Sequence, residues 1–354
     1  MPPAAFATRP AVALPRYQVS LEAIIADTRR RNPNHPKWAF IERVMGNTGV
    51  KNRWFVEPFE STVDPDRKYH ERNAVAWTHI QALAERAARE ALSHAGLRPA
   101  DISAVITSHS TGDVLPGLDV HLVNALELPE DVRRIPMTQL GCVGGAHAMI
   151  RALEQARLYP GQHVLVVLGE ALSTIYDPHT QNIEGHIFNT LFGDSASAFV
   201  VSSTPLQASC LALEPQTWEA VLPHSTQRYR KDLSPSRAHF YSTKEATSAV
   251  PEIGAGLKRW LDKTPWPLEF AVAHSGGPAI LNSFADVLDV PAHYLDRSWE
   301  SLRTLGNIGG GSVIDVLRRT FDSPPAHGAQ GVLVGVGPGF SGAALRCTWH
   351  NERT

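Results

Sequence analysis

Residues 142–172, CVGGAHAMIRALEQARLYPGQHVLVVLGEAL, contain the unit that decides the fold. Beyond two glycines the apolar residues recur at helical spacing, and a Pro-Gly turn then leads into HVLVVL, a continuous apolar run of strand length. A strand with no polar alternation belongs to a sheet covered on both faces. The same order recurs twice. AVAWTHIQALAERAAREALSHA (74–95) reads as a helix that stops at Gly96, a residue suited to a helix C-terminus, and DISAVITSHSTG follows as a β-rich run opening into a polar loop. In 254–277 a helix passes through a Pro-marked turn into EFAVAHS and another polar loop. SASAFVVSS closes the first part of the chain, while QGVLVGVG and AALRCTWH close the second. Strands alternating with helices predict an α/β protein with largely buried sheets. The late strand pairs suggest a duplication, with a boundary near SSTPLQ at 202–207 and halves of 1–205 and 206–354. The polar, Pro-containing stretches 57–73 and 221–248 read as surface excursions.

Composition narrows the function classes. At 354 residues, with 43% apolar and 19% charged residues, the chain has the balance of an ordinary globular protein and can bury a large core. Its formal net charge of −2 gives no basic field for a phosphate backbone, so nucleic-acid binding is not expected. Cys142, Cys210 and Cys347 are too few and too scattered for a disulfide framework or a zinc cluster, which fits a reducing cytoplasm. MPPAAFATRPAVALPRY has prolines where a signal peptide needs an apolar run, and no window of membrane-spanning length is free of charge. Neither secretion nor membrane insertion is expected.

Cys142 stands where the strand-like RRIPMTQL gives way to the helix, a place where unpaired N–H groups favour a thiolate. Gly144 and Gly145 would leave room for a substrate to approach. A lone intracellular cysteine is more often a buried packing residue, so the context decides. His274 ends a β-rich run in AVAHSGGPAI, and Asn307 lies at a glycine-rich helix entry in LRTLGNIGGGSVIDVL. Singly these could be a core histidine and a helix cap. Together, a Cys, a His and an Asn at such junctions can form a thiolate, carry an acyl thioester and offer two donors to a developing oxyanion or enolate.

The ordered motifs LGCVGG, LFGDSASA, HSGGP, GNIGGGS and GVGPGFSG resemble the type III polyketide synthases, the chalcone-synthase-like enzymes of the thiolase superfamily. The resemblance runs from RPAVALPRY to the last strand. NTGVKNR and LPGLDVHLVNAL look closest to bacterial members of the tetrahydroxynaphthalene synthase type. It implies a duplicated thiolase-like αβαβα five-layered sandwich, a homodimer and an acyltransferase. By similarity Cys142 carries the acyl group, His274 is its base and ion-pair partner, and Asn307 is the second donor to the thioester carbonyl. A starter acyl-CoA loads Cys142, malonyl-CoA supplies extender units by decarboxylation, and no metal or redox cofactor is required.

Further positions follow from the same resemblance. Phe192 in LFGDS and Phe240 in AHFYSTK match two gatekeeper phenylalanines, and Lys51 and Arg53 lie where the family places cations on coenzyme A phosphates. As plain residues, the former pair would be core packing and the latter solvated surface. Ser110, Thr111, Leu115, Ile175 and Gly309 match cavity-lining positions, with Leu115 crossing to the neighbouring subunit's cavity. Ser110 replaces a second active-site cysteine of the tetrahydroxynaphthalene synthases, and Gly309 and Gly310 replace small hydroxyl residues, which should open the cavity floor.

Other signals carry less. GVGPGFSG has no following helix and acidic residue, so it is not a dinucleotide fingerprint but, by resemblance, a cavity wall. The 16 histidines include no HExxH spacing, His147 reads as a packed helical residue, and Asp194 as a structural turn residue. The nearest rival reading is an initiating ketoacyl-carrier-protein synthase with the same fold and Cys, His, Asn order. A cysteine hydrolase would use the same residue types, but no papain-type signature surrounds Cys142. An inactive acyl-binding protein would not require all three groups.

Overall fold

Successive residues of each long strand are buried on opposite sides, and this alternation builds the layers. Val164, Val166 and Leu168 join one core cluster while Leu165 and Val167 join another. Leu333 likewise enters the first cluster, whereas Val332, Val334 and Val336 enter a third. Each strand therefore has helices on both faces, as its uninterrupted apolar run implied. The computed structural model describes residues 5–243 and 245–351, so the first four residues of the N-terminal stretch read above lie outside it.

Ten of the described strands form one sheet, and the other four make two separate two-stranded ribbons. The path of the large sheet runs Phe270–Ala273, Gln330–Gly337, Ser341–Asn351, Ser209–Val221, Ala5–Ala7, Asp194–Ser202, His163–Ala171, Ile102–His109, Arg133–Thr138, and Ala11–Ala13 also pairs with Asp194–Ser202. The sheet folds around two helices, Gly144–Leu158 and Gly311–Asp322, whose apolar residues share one cluster with strands from both ends of that path. Burial all round their first two turns is the mark of a central helical layer. The helices Tyr69–Ala95 and Leu118–Leu126 cover one outer face, and Ala246–Leu261 with Pro278–Leu288 cover the other. Helix, sheet, helix pair, sheet, helix: the protein is the thiolase-like five-layered α/β sandwich that the sequence led us to expect.

Local signals behave as read in several places. The helix Tyr69–Ala95 ends on Gly96 in the left-handed conformation, with the Gly96 N–H returning to Leu92 and Ser93 carbonyls. Asp194, at the start of its strand, is fully buried and accepts hydrogen bonds from the Val56 and Ser173 N–H groups and the Ser173 hydroxyl, at 2.8, 2.6 and 2.6 Å. Burial raises its carboxyl to about 7, against those three bonds. Two stretches differ from the reading of surface excursions. Residues 57–73 contain a short helix, Phe59–Thr62, and the first turn of Tyr69–Ala95; residues 221–248 contain an antiparallel hairpin, Tyr229–Leu233 with Ala238–Ser242.

The glycines expected to admit substrate have a different task. A Cβ on Gly145 would sit 2.2 Å from the Gly310 carbonyl oxygen, and one on Gly310 would sit 2.9 Å from the Gly145 nitrogen. A Cβ on Gly144 would meet the Ser108 hydroxyl at 2.7 Å. Gly145 and Gly310 thus let the two central helices touch backbone to backbone, and they open neither the approach to Cys142 nor a cavity floor. We expect Gly145→Ala to lower unfolding free energy by about 3 kcal/mol, because the obstacle is backbone that cannot swing aside. Gly46→Ala, at a helical residue where nothing lies within 4 Å of the added carbon, should leave the denaturant midpoint at or above that of the parent.

Candidate active site

The contact between the central helices fixes where their first turns meet. Gly141, at φ +56, turns the chain out of the strand Arg133–Thr138, and a single 3-10 turn, Gly141–Val143, carries Cys142 into Gly144–Leu158. Asn307 lies just before the second helix, its backbone anchored by Asn307 N–H donating to Leu191 O at 2.8 Å and Gly193 N–H donating to Asn307 O at 3.0 Å. The two side chains meet although 165 residues separate them. Asn307 Nδ2 is 3.5 Å from Cys142 Sγ and 3.3 Å from Gly276 O. Its Oδ1 accepts from the Gly309 N–H at 2.9 Å, which fixes the amide with its donor toward sulfur.

His274 follows the strand Phe270–Ala273 and is fully buried, its N–H donating to Val334 O at 3.0 Å. A Cβ on Gly276 would lie 2.6 Å from His274 Nε2, so glycine there keeps the ring edge clear. Neither ring nitrogen has a hydrogen-bond partner among the described residues. A buried, unpartnered imidazole is costly unless a ligand completes it.

Cys142, His274 and Asn307 line one cavity of about 410 Å³. Its wall is mostly apolar, with Val44, Ile187, Leu191, Val250, Ile280 and Phe340 leading from the helix Trp38–Gly46 down to the thiol. Val336, Gly337 and Phe340 bring the GVGPGFSG loop into that wall, as the resemblance implied. Burial raises the Cys142 thiol to about 12, with the Asn307 hydrogen bond opposing it, and burial lowers His274 to about 3. The N–H groups at the helix start favour a thiolate, as the sequence suggested, but the apolar surroundings outweigh them. Neither group holds charge by itself near neutrality. The expected ion pair would place both charges at once, by passage of the Sγ proton to the imidazole, so that each ion stabilises the other.

The remaining sequence-derived positions divide. Phe192 and Phe240 pack against each other, ring centroids 5.6 Å apart, and both touch Phe188; Phe192 also pairs through its backbone with Asn307. Ile175 belongs to this aromatic cluster. Neither phenylalanine, nor Ser110, Thr111, Ile175 or Gly309, is on the wall of the 410 Å³ cavity. Ile175 and Phe240 line a separate void of about 50 Å³. Aromatic rings fill the space that these residues were expected to enclose. Ser110 and Thr111 instead hold Glu170, a buried carboxyl that accepts from Ser110 N–H at 2.8 Å, Thr111 N–H at 3.1 Å and the Thr111 hydroxyl at 2.7 Å. Burial raises Glu170 to about 7. Gly309, at φ +63, presses on it: a Cβ there would be 3.0 Å from Glu170 Cγ. Leu115 is 97% exposed and lines nothing within its own chain.

Of the two cations, Lys51 is exposed, three residues past Thr48 on the cavity wall. Arg53 is a correction. It is 0% exposed, donates to Asn189 O at 3.2 Å and is lowered by burial to about 9, so it cannot reach a phosphate in solvent. His147 is half-buried on its helix and pairs with Glu219 at 2.7 Å. Sequence reasoning missed Tyr229 and Phe188, which line the cavity and stack on Phe240. The Tyr229 phenol is held well above its ordinary range by burial and by its nearness to Cys142. Its strand, YRKDL, is too polar to read as an active-site wall.

Comparison with known proteins identifies the family. Residues 57–205 match the N-terminal domain of the chalcone and stilbene synthases. The chain is 31% identical over 344 residues to a phloroglucinol synthase of Pseudomonas fluorescens, covering 96% of this chain and 98% of that one. It is 30% identical to a 1,3,6,8-tetrahydroxynaphthalene synthase of Streptomyces coelicolor, covering 96% and 91%. Among solved structures, germicidin synthase from Streptomyces coelicolor, a type III polyketide synthase, superposes with a TM-score of 0.92 at 33% identity, covering 98% of this chain and 99% of that one.

The paired-ionisation account has a direct check. In His274→Gln the thiol stands alone in its apolar well, so the pH midpoint for iodoacetamide alkylation of Cys142 should move upward, toward the value of about 12 set by burial. Identical midpoints in the parent and the variant would show that the imidazole does not take the proton.

Proposed function

Since the chain belongs to the chalcone and stilbene synthase family and is a type III polyketide synthase, we propose that Cys142 is the residue on which it builds its products. The observation that supports this is the Asn307 amide donor held 3.5 Å from Cys142 Sγ, in a largely apolar cavity that His274 also lines. We read the chain as two halves, 1–205 supplying Cys142 and 206–354 supplying His274 and Asn307.

In the first step the Sγ proton moves to His274, and the thiolate attacks the carbonyl of a starter acyl-CoA. The carbon–sulfur bond to coenzyme A breaks, and coenzyme A leaves as the thiol with the proton from His274. Malonyl-CoA then enters with its thioester oxygen toward His274 and Asn307 Nδ2. Its carboxylate leaves as CO₂, and the electron pair of the broken bond becomes the enolate that these donors stabilise. The enolate carbon attacks the Cys142 thioester, a carbon–carbon bond forms and the thiolate is released. The chain, longer by two carbons, returns to Cys142 for the next round and finally cyclises to a small aromatic or pyrone. Departure of CO₂ drives each condensation, so the chemistry calls for neither a metal nor a redox cofactor. Buried walls serve it by keeping water from the enolate.

Lys51, exposed and three residues past Thr48 on the cavity wall, is the cation we assign to the phosphates of coenzyme A. Leu115, exposed on a loop, suits a contact with a second copy of the chain in a homodimer. Among the described residues no helix is long and apolar enough to cross a membrane, and we place the enzyme in the cytoplasm, where acyl-CoA thioesters are available.

Malonyl-CoA supplied without any carrier protein, alone and with a panel of acyl-CoAs, should give products whose masses grow by two-carbon increments. Acyl-CoA hydrolysed to free acid with no carbon–carbon bond formed would overturn the proposal. Cys142→Ala should yield no acyl adduct by intact mass. Asn307→Ala should slow malonyl decarboxylation by roughly 10²–10³-fold while acyl loading falls far less; equal losses would show its role to be misassigned.

A further inference from the structure

The hairpin Tyr229–Leu233 with Ala238–Ser242 belongs to neither half of the large sheet; it stands alone as two strands over the site. Its register pairs Tyr229 with Ser242 and Lys231 with Phe240, so strand alternation turns these four residues to one face. Tyr229 and Ser242 line the 410 Å³ cavity, and Phe240 packs on Phe192 and Phe188. Lys231 is the one cation on that face. Its side chain is 15% exposed, and its ammonium donates to Ser110 O at 2.7 Å and lies 3.5 Å from Asp113 Oδ2.

Asp113 gathers the surrounding elements. Its carboxylate also accepts from the Tyr69 hydroxyl and from Gln139 Nε2, the latter at 3.3 Å, and its backbone exchanges two hydrogen bonds with Asn73, at 2.8 and 3.1 Å. The same loop holds the turn that presents the nucleophile, because Gly141 N–H donates to Ser110 Oγ at 2.7 Å. Hairpin, loop and nucleophile turn are therefore joined through Lys231 and Asp113.

We propose that this tie is a clamp that sets product length, with Lys231 as a positioning residue that determines how many extensions fit. The inference rests on the condensation reading above. A chain growing on Cys142 must find volume beyond the cavity, and the space toward Ile175 is filled by the rings of Phe188, Phe192, Tyr229 and Phe240. Tyr229 and Phe240 are carried by the hairpin, so room for further units comes when the hairpin lifts. Its root is fixed by Leu222 N–H on Phe340 O, and its turn by Arg237 on Tyr176 O and Asp177. Between root and turn, Ser225 accepts from Phe340 N–H and Arg228 pairs with Glu252, while Lys231 is the polar attachment that ties the strand Tyr229–Leu233 to the loop of Ser110 and Asp113.

The test uses Lys231→Met, which keeps the length and removes the charge, and Asp113→Asn, which keeps an acceptor for Tyr69 and Gln139. Each full-length variant receives one acyl-CoA and malonyl-CoA, and products are read by mass as the ratio of longer to shorter chains. That ratio does not depend on the fraction of enzyme that is folded, so a merely structural role would not move it. We expect both variants to shift it by about threefold or more toward longer chains, with Cys142 acyl loading per folded molecule unchanged, and the double variant to add nothing to either single one. Should Lys231→Met fail to fold, Asp113→Asn decides alone. An unchanged ratio, or additive effects in the double variant, overturns the clamp while a condensing parent enzyme leaves the function standing. A parent that forms no carbon–carbon bond removes both.

Discussion

The approach of two backbones where the central helices cross is the constraint on which the rest depends. Gly145 and Gly310 touch where no side chain could fit, and this sets the first turns of Gly144–Leu158 and Gly311–Asp322 side by side. Cys142 lies in the turn that leads into one helix, and Asn307 lies just before the other. Their separation of 3.5 Å is therefore set by short turns anchored on the helix crossing, which supplies the rigidity that the proposed thioester and enolate chemistry needs. His274 arrives on a third support, the end of a parallel strand whose neighbour, Gln330–Gly337, continues into the cavity wall.

That packing also creates the electrical problem of the site. Burying the two helix starts removes water from Cys142 and His274, which disfavours charge on either of them separately. The same burial strengthens the attraction between a thiolate and an imidazolium once a proton has moved, and it strengthens the bond from Asn307 to an oxyanion. An apolar well is thus a poor place to store one ion and a good place to make two. Glu170 and Asp194 show the alternative: each buried carboxyl is occupied by three hydrogen bonds from fixed donors, so each serves as a structural brace.

Legibility from sequence followed the kind of interaction involved. The layers were readable because a strand covered on both faces must be apolar throughout, and HVLVVL is; the end of the long helix was readable because Gly96 alone there takes a left-handed backbone without cost. Cys142, His274 and Asn307 were found at chain junctions, where polar groups beside glycines stand out from an apolar background. Distances between such groups leave no periodic trace. Gly145 and Gly309 were read as open space because a missing side chain looks the same whether solvent or backbone occupies the gap, and Arg53 looked like surface because an arginine is ordinarily solvated.

The hairpin marks where sequence reading reached its limit, and the reason bears on function. YRKDL and AHFYS alternate between an inner face and solvent, so half of their residues are polar and their mean character is that of a loop. Only the pairing of Tyr229 with Ser242 and of Lys231 with Phe240 shows which half faces the thiol. A two-stranded ribbon with one apolar face has little stability of its own and takes its position from what it lies against. Here it lies against rings that a growing chain must displace, so it is the part of the wall whose position can differ while the helices holding Cys142 and Asn307 stay fixed. Relatives could share the central helix crossing, and with it the condensation, yet differ in the ribbon, and the product would differ with it.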